Sequence, residues 1–183
     1  EAGDPAFRQE ALAQIDDETW RARRIVRALL DYARDRAFTR EALPLAALVE
    51  ETLRLVRGQM PAQVTLSVDI PGALTLAGDK QRLQQVLLNL TRNAVEAVEG
   101  AGHVRIAARA IAGPCSCPAG RLIFGQCGTP GAMAEIEIRD DGHGIAADVL
   151  PKIFDPFFTT KEVGRGLGLG LFIVFEIIEE HGG

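Results

Sequence analysis

The sequence predicts an α+β fold, in which helices cover one face of a mixed sheet, and two observations carry that expectation. Segments of strictly alternating apolar and polar residues stand beside segments whose apolar residues recur every three or four positions. At 183 residues, 47% apolar and 25% charged, the chain can bury one good core with a small appendage. A formal net charge of -5 argues against nucleic acid or an anionic membrane as the main partner. No apolar run approaches the ~18 residues that span a bilayer. The chain opens on Glu1 rather than Met and stops at Gly182-Gly183, so it reads as a fragment of something longer.

From about Asp4 to Arg36 the spacing predicts one long helix. Leu12, Ile15, Thr19, Ala22, Val26, Leu29 and Ala33 form an apolar seam opposite a face crowded with arginines. Such a seam suits a helical bundle or coiled coil, and a lone helix of this kind is unstable in water. Pro44 is placed to open a second helix reaching about Met60. Val64, Leu66, Val68 and Ile70 alternate with polar residues as in a half-buried strand. After the Pro71-Gly72 turn, Leu74 and Leu76 continue a second short strand. Asp79 then caps a helix whose expected buried stripe is Leu83, Leu87, Leu90, Ala94 and Ala97. Strands follow at His103–Ala110 and Ala134–Arg139, and the last helix is Leu169–Glu180. The stretch 111–133 between those strands is far longer than a usual hairpin loop of about 2–5 residues.

Four short blocks carry the chemistry. Asn89 and Asn93 sit one turn apart on the Asp79 helix, with Glu96 just beyond, and look from its edge into a cleft. Neutral oxygens of this kind suit a magnesium ion that also holds phosphate. Asp140 ends a strand and precedes Gly142 and Gly144; its carboxylate can accept from an exocyclic amine while the glycines let backbone approach a ring. Phe154, Phe157 and Phe158 are expected to clamp the base of a loop, and Lys161 to reach phosphates. Finally Gly164, Gly166, Gly168 and Gly170 run directly into the last helix, where free N–H groups and the positive helix end favour phosphate. No Gly-Lys-Ser/Thr follows, so this is not a Walker loop.

In this order and spacing the blocks resemble the N, G1, F and G2 boxes of the histidine protein kinases of two-component signalling. Those boxes lie on the Bergerat-type two-layer ATP-binding fold shared with gyrase, Hsp90 and MutL proteins. Asn93-Ala-Val-Glu96-Ala97 with Phe157-Phe-Thr-Thr-Lys161-Glu-Val-Gly resembles the nitrogen-regulation-like subgroup. The segment from Arg21 to Arg34 is similar to the second helix of the family's dimerisation and phosphotransfer hairpin. The resemblance implies two parts, residues 1–40 as that helix and 41–183 as the catalytic domain, with its closing strands missing. It implies ATP and Mg²⁺ as ligands, with Asn93 binding the metal, Asn89 beside it, and Asp140 recognising adenine. Gly142 and Gly144 then shape the base site; Phe157 and Lys161 belong to the nucleotide site, and Gly166, Leu167, Gly168, Gly170 and Leu171 border the phosphates. Expected partners are ATP or ADP, the missing hairpin helix, a second subunit and a response-regulator receiver domain, in the cytoplasm.

Gyrase-like ATPases carry a Glu where Asn89 stands; Asn cannot serve as a base, so transfer is favoured over hydrolysis. Leu167 and Phe172 depart from the small or polar residues more usual in the family. No histidine fits the phosphoacceptor, because His103, His143 and His181 are followed by Val, Gly and Gly; the acceptor is expected outside the chain. A non-catalytic nucleotide-binding module, or a Bergerat ATPase or serine kinase, is the alternative. Cys115, Cys117 and Cys127 lie in the 111–133 insertion, one ligand short of a closed zinc site. Reduced thiols are the plain expectation, and a redox pair between Cys127 and one of the others the sharper one.

Overall fold

The computed structural model describes residues 7–9, 11–12, 14–16, 19, 22–23, 38–112, 132–161 and 166–183. The described positions between 7 and 23 are helical, and the Thr19 hydroxyl donates to the Ile15 carbonyl at 2.7 Å. Leu12 and Ile15 of the expected seam stand 66% and 63% exposed. Val26, Leu29 and Ala33 lie outside the described residues, as do Cys115, Cys117 and Cys127.

Strand β1 (Glu41–Pro44) leads straight into helix α1 (Leu45–Arg57). The sequence places Pro44 in the helix; it is instead the last strand residue and the N-cap, at φ -62° and ψ 111°. The helix stops at Arg57, with Gly58 after it, rather than running to Met60. Leu45, Leu48, Val49, Thr52, Leu53 and Val56 recur at helical spacing and are all buried. Thr52 tolerates burial because its hydroxyl donates to the Leu48 carbonyl at 2.8 Å.

Strand β2 (Val64–Asp69) and the short β3 (Thr75–Gly78) flank the Pro71-Gly72 turn. β3 pairs antiparallel with β1, Leu43 facing Leu76, in a two-stranded sheet of its own. The larger sheet has the order β2-β4-β5, with β4 spanning Gly102–Ala112 and β5 Ala132–Asp140. β4 runs parallel to β2, with Val64 opposite Gly102, and antiparallel to β5, with Ile106 opposite Ile138. The sheet is therefore mixed, as expected.

Helix α2 (Lys80–Ala97) starts where predicted: one Asp79 carboxylate oxygen accepts from the N–H groups of Gln81 and Arg82 at 3.0 and 3.1 Å. Burial pushes the Asp79 carboxyl up, but the N–H groups of Arg82, Thr39 and Gln81, with the Arg82 charge, outweigh it. The net effect holds it below the usual carboxylate range. The buried stripe is wider than expected: Val86, Thr91 and Val95 join Leu83, Leu87 and Ala94, while Leu90 and Ala97 are only half-buried. Two neighbours widen it: α3 (Gly170–Glu180) packs Val174 and Ile177 on Val86, and Val95 joins Ala94 in a cluster with Val56, Val64 and Val104. Val104 and Ile106 of β4 are fully buried beneath α1 and α2, so the helices share one face of the sheet. A cavity of about 300 Å³ in this layer, lined by Leu48, Leu76, Val86, Leu90, Ile136 and Ile178 among others, is wholly apolar in its side chains. It holds none of the polar residues singled out above and belongs to core packing.

The far end of α3 is tied back to the start of α2. His181 Nδ1 donates to the Ile177 carbonyl (2.7 Å), while its Nε2 accepts from the Asp79 N–H (3.0 Å). Two donors cannot be satisfied this way, so the ring is the neutral Nδ1–H form. Gly78 makes room for it, since a Cβ there would stand 2.7 Å from the ring, and Glu180 adds an ion pair to Arg82.

Candidate functional site

The C-terminal half of α2 is the spine of the site. Asn89, Asn93 and Glu96 follow one another along its edge, one turn apart, because residues three and four apart share a helix face. Each of the three turns meets a different distant block.

At the first turn, Asn89 Nδ2 donates to the carbonyl of Gly170, the first residue of α3, at 3.2 Å. Leu169, the N-cap, is buried, and no side chain caps the N-terminus that follows. First-turn N–H groups have no partner within a helix, so this end is suited to an anion. The glycine block is held by backbone: Phe157 N–H donates to the Gly168 carbonyl at 2.9 Å. Both residues lie in the left-handed region, Phe157 at φ 68° and Gly168 at φ 66°. A Cβ on Gly168 would meet the Phe157 carbonyl carbon at 2.4 Å, so glycine is required twice over. Leu167 and Leu171 flank this turn half-buried, and Gly164 is outside the described residues.

At the second turn, Lys161 Nζ reaches Asn93 Oδ1 at 3.4 Å and forms an ion pair with Glu96 Oε2. Arg92 holds the other Glu96 oxygen, at 3.6 Å across i,i+4. The Asn93 carboxamide oxygen thus already faces a cation.

At the third turn, the loop after β5 docks on the end of α2. The Asp140 carboxylate is half-buried, and its Oδ1 accepts from the Gly142 N–H at 3.0 Å. Its second oxygen has no hydrogen bond among the described residues. His143 N–H donates to the Ala97 carbonyl at 3.2 Å. Gly142 is needed for this contact: a Cβ would stand 2.3 Å from that carbonyl oxygen. Gly144, at φ 71° in open space, supplies the reversal of the chain.

Asn89, Asn93, Asp140, Gly142, Phe157, Lys161, Gly168 and Gly170 lie on α2 or in the contacts just described, and Gly144, Gly166, Leu167 and Leu171 lie in the segments that adjoin them. One expectation needs correction, that of the phenylalanines; Gly142 packs its loop on Ala97, which does not conflict with its expected place at the base site. Of the three phenylalanines, Phe154 makes a ring contact, 5.6 Å from Phe175 of α3; Phe157 is 54% exposed and contributes its backbone instead. The Ala97 carbonyl and Arg92 were not foreseen as part of the site. The i,i+4 spacing of Arg92 and Glu96 was a readable signal for the second; nothing local announces a backbone carbonyl. The histidines are otherwise engaged. His103 bridges the Thr65 and Ser67 hydroxyls at 2.8 Å each, and His143 Nδ1 lies 2.7 Å from the Gly144 carbonyl oxygen.

Residues 78–183 match the family profile described as histidine kinase-, DNA gyrase B-, and HSP90-like ATPase. The chain is 34% identical over its whole length to Sensor kinase CckA of Brucella abortus (strain 2308), of which it covers 19%. Two solved structures are similar. Histidine kinase ThkA in complex with response regulator protein TrrA matches at 25% identity and a TM-score of 0.67, over 98% of this chain and 46% of that one. Full-length ShkA in complex with AMPPNP matches at 26% and 0.68, over 94% and 33%. The chain spans about a third or less of the length of the curated relatives it matches.

Proposed function

We infer that this chain, which belongs to the histidine kinase-, DNA gyrase B- and HSP90-like ATPase family, is the ATP-binding catalytic part of a sensor histidine kinase. One observation carries the reading. Three successive turns of α2 gather the carboxylate loop, the lysine segment and the glycine-rich helix start into one track. Between Asn89 and Ala97 that track runs about 12 Å along the helix. It has a free carboxylate oxygen at one end and an uncapped helix N-terminus at the other, which matches a ligand with a base at one end and phosphates at the other.

In this reading the free Asp140 oxygen accepts from the adenine amine, and Gly166, Gly168 and Gly170 with the start of α3 border the phosphates. Lys161 adds positive charge. Asn93, with Asn89 beside it, holds Mg²⁺; its carboxamide oxygen already faces the Lys161 ammonium, so the donor suits a cation. Magnesium, when bound, neutralises phosphate charge. The chain's own contribution is positioning and electrostatics, which dominate phosphoryl transfer. With Asn at 89, no carboxylate stands there to activate water, and the γ-phosphoryl passes to a histidine outside this chain.

Similarity to a kinase solved with a response regulator supports relay to a receiver domain as the next step. Residues 1–40 then act as one helix of a dimerisation hairpin, whose exposed Leu12 and Ile15 await a partner helix. No helix among the described residues is long and apolar enough to cross a membrane, and a cytoplasmic site of action fits an ATP-dependent step. The test is to mix the chain with Mg-ATP and a separate hairpin bearing an acceptor histidine. Acid-labile phosphohistidine on the hairpin is the expected result; ATP turnover or binding without transfer would refute it.

A further inference from the structure

We propose that Glu96 is a positioning residue that holds Lys161 across the track, and that nucleotide phosphate takes the ammonium from it. This rests on the nucleotide reading above. Lys161 Nζ lies between Glu96 Oε2 and Asn93 Oδ1, on the stretch of α2 between Asn89, which meets the glycine turn, and Ala97, which meets the carboxylate loop. An extended nucleotide on this track must pass the ammonium. Two further observations make Lys161 a placed group. Its N–H donates to Thr159 Oγ1 at 3.2 Å. Its stem lies against Gly166, where an added Cβ would stand 3.2 Å from Lys161 Cδ and 2.9 Å from Thr159 Oγ1. The first described glycine of the phosphate block therefore makes room for the lysine.

The exchange is balanced by charge. Glu96 Oε1 remains paired with Arg92 when Lys161 leaves, so the carboxylate is not stranded. The ammonium moves from one anion to another of higher charge, which a phosphate chain supplies and a neutral nucleoside does not. Glu96 thereby sets how strongly the site favours phosphorylated nucleotides, and it keeps Lys161 beside the track.

The side chains of Lys161 and Glu96 are 39% and 42% exposed, so their coupling is that of a screened surface pair. It corresponds to a change of about two- to fivefold in affinity. The experiment is titration calorimetry of the whole chain with Mg-ATP and with adenosine, for wild type, Glu96→Gln, Lys161→Met and the double variant. Glu96→Gln is expected to tighten Mg-ATP by about two- to fivefold and to leave adenosine unchanged. The gain must shrink in the Lys161→Met background, because no ammonium then needs releasing. An equal gain with and without Lys161 means simple repulsion between Glu96 and phosphate and overturns the exchange. So does an equal gain for adenosine, or no gain at all. Asp140→Asn separates the two readings. If it weakens both ligands while the cycle shows no coupling, only the exchange fails. If wild type binds neither ligand, the nucleotide reading falls and the exchange with it.

Discussion

Replacing Gly142 with alanine separates packing from backbone freedom at the base end of the track. The added Cβ would stand 2.3 Å from the Ala97 carbonyl oxygen and 2.9 Å from the Ala97 Cβ. Carbon and oxygen ordinarily meet at about 3.3 Å, so the loop must retreat by about 1 Å or the end of α2 must yield. Forcing a methyl group into a packed site costs about 1–3 kcal/mol. If the free protein relieves that strain by letting the loop move, recovering the binding geometry costs the same amount. ADP affinity then falls by about fivefold to a hundredfold. Two other glycines serve as controls. Gly144 has open space around it but φ 71°, so alanine there meets only the left-handed penalty of about 1–2 kcal/mol. Gly72 has open space and no positive φ, so alanine there is neutral or slightly stabilising. Urea unfolding gives the stability of each variant and calorimetry its affinity for ADP. A Gly142→Ala protein that binds ADP within twofold of wild type would refute the idea that this loop must touch Ala97 to present Asp140.

Asp140→Asn keeps the shape of the site but turns one acceptor oxygen into a donor. ATP and ADP affinity should each fall by one to two decades, the effect of about 1–3 kcal/mol for an unpaired polar group, and calorimetry with equal affinities would contradict it. Thr91 is fully buried, and its hydroxyl has no hydrogen-bond partner among the described residues. Thr91→Val should therefore stabilise the fold by about 1 kcal/mol, read as a higher urea midpoint at unchanged slope. Asp79→Ala should cost about 1 kcal/mol at neutral pH through loss of the α2 cap. Because the folded Asp79 carboxyl titrates below its unfolded value, that contribution is complete above about pH 4. It is lost as pH falls through the lower, folded value. A penalty independent of pH down to strong acid would show that the carboxylate charge is not what caps the helix.

Local chemistry made much of this legible. Asp79 announces a helix start because its side chain serves the same N–H groups in any context, and β2 announces itself by alternation. β1 did not, because four residues ending in proline carry no period, and only pairing with β3 makes them a strand. The same division holds in the site. Asn89, Asn93, Asp140 and the glycines are recognisable from spacing, since their chemistry depends on residue type. That Gly142 answers to the Ala97 carbonyl, or that Lys161 lies on Glu96 across 65 positions of sequence, depends on tertiary placement. The exposure of the Phe157 side chain is illegible in sequence for a related reason: its φ of 68° accompanies a hydrogen bond to Gly168, eleven positions away.

Helix α3 is fastened to α2 at both of its ends, by Gly170 on Asn89 and by His181 on Asp79. A helix of 11 residues, about 16 Å long, joins two such anchorages through its own backbone hydrogen bonds. Any ligand that lifts the glycine-rich end therefore works a lever whose other arm bears on the amide of Asp79. That amide opens the whole of α2, so load applied at the phosphates arrives at the remote end of the helix that carries Asn89 and Asn93. A deuterium-exchange trace of the Asp79 N–H would register what happens at a turn about 90 residues further along the chain, with no chemistry of its own.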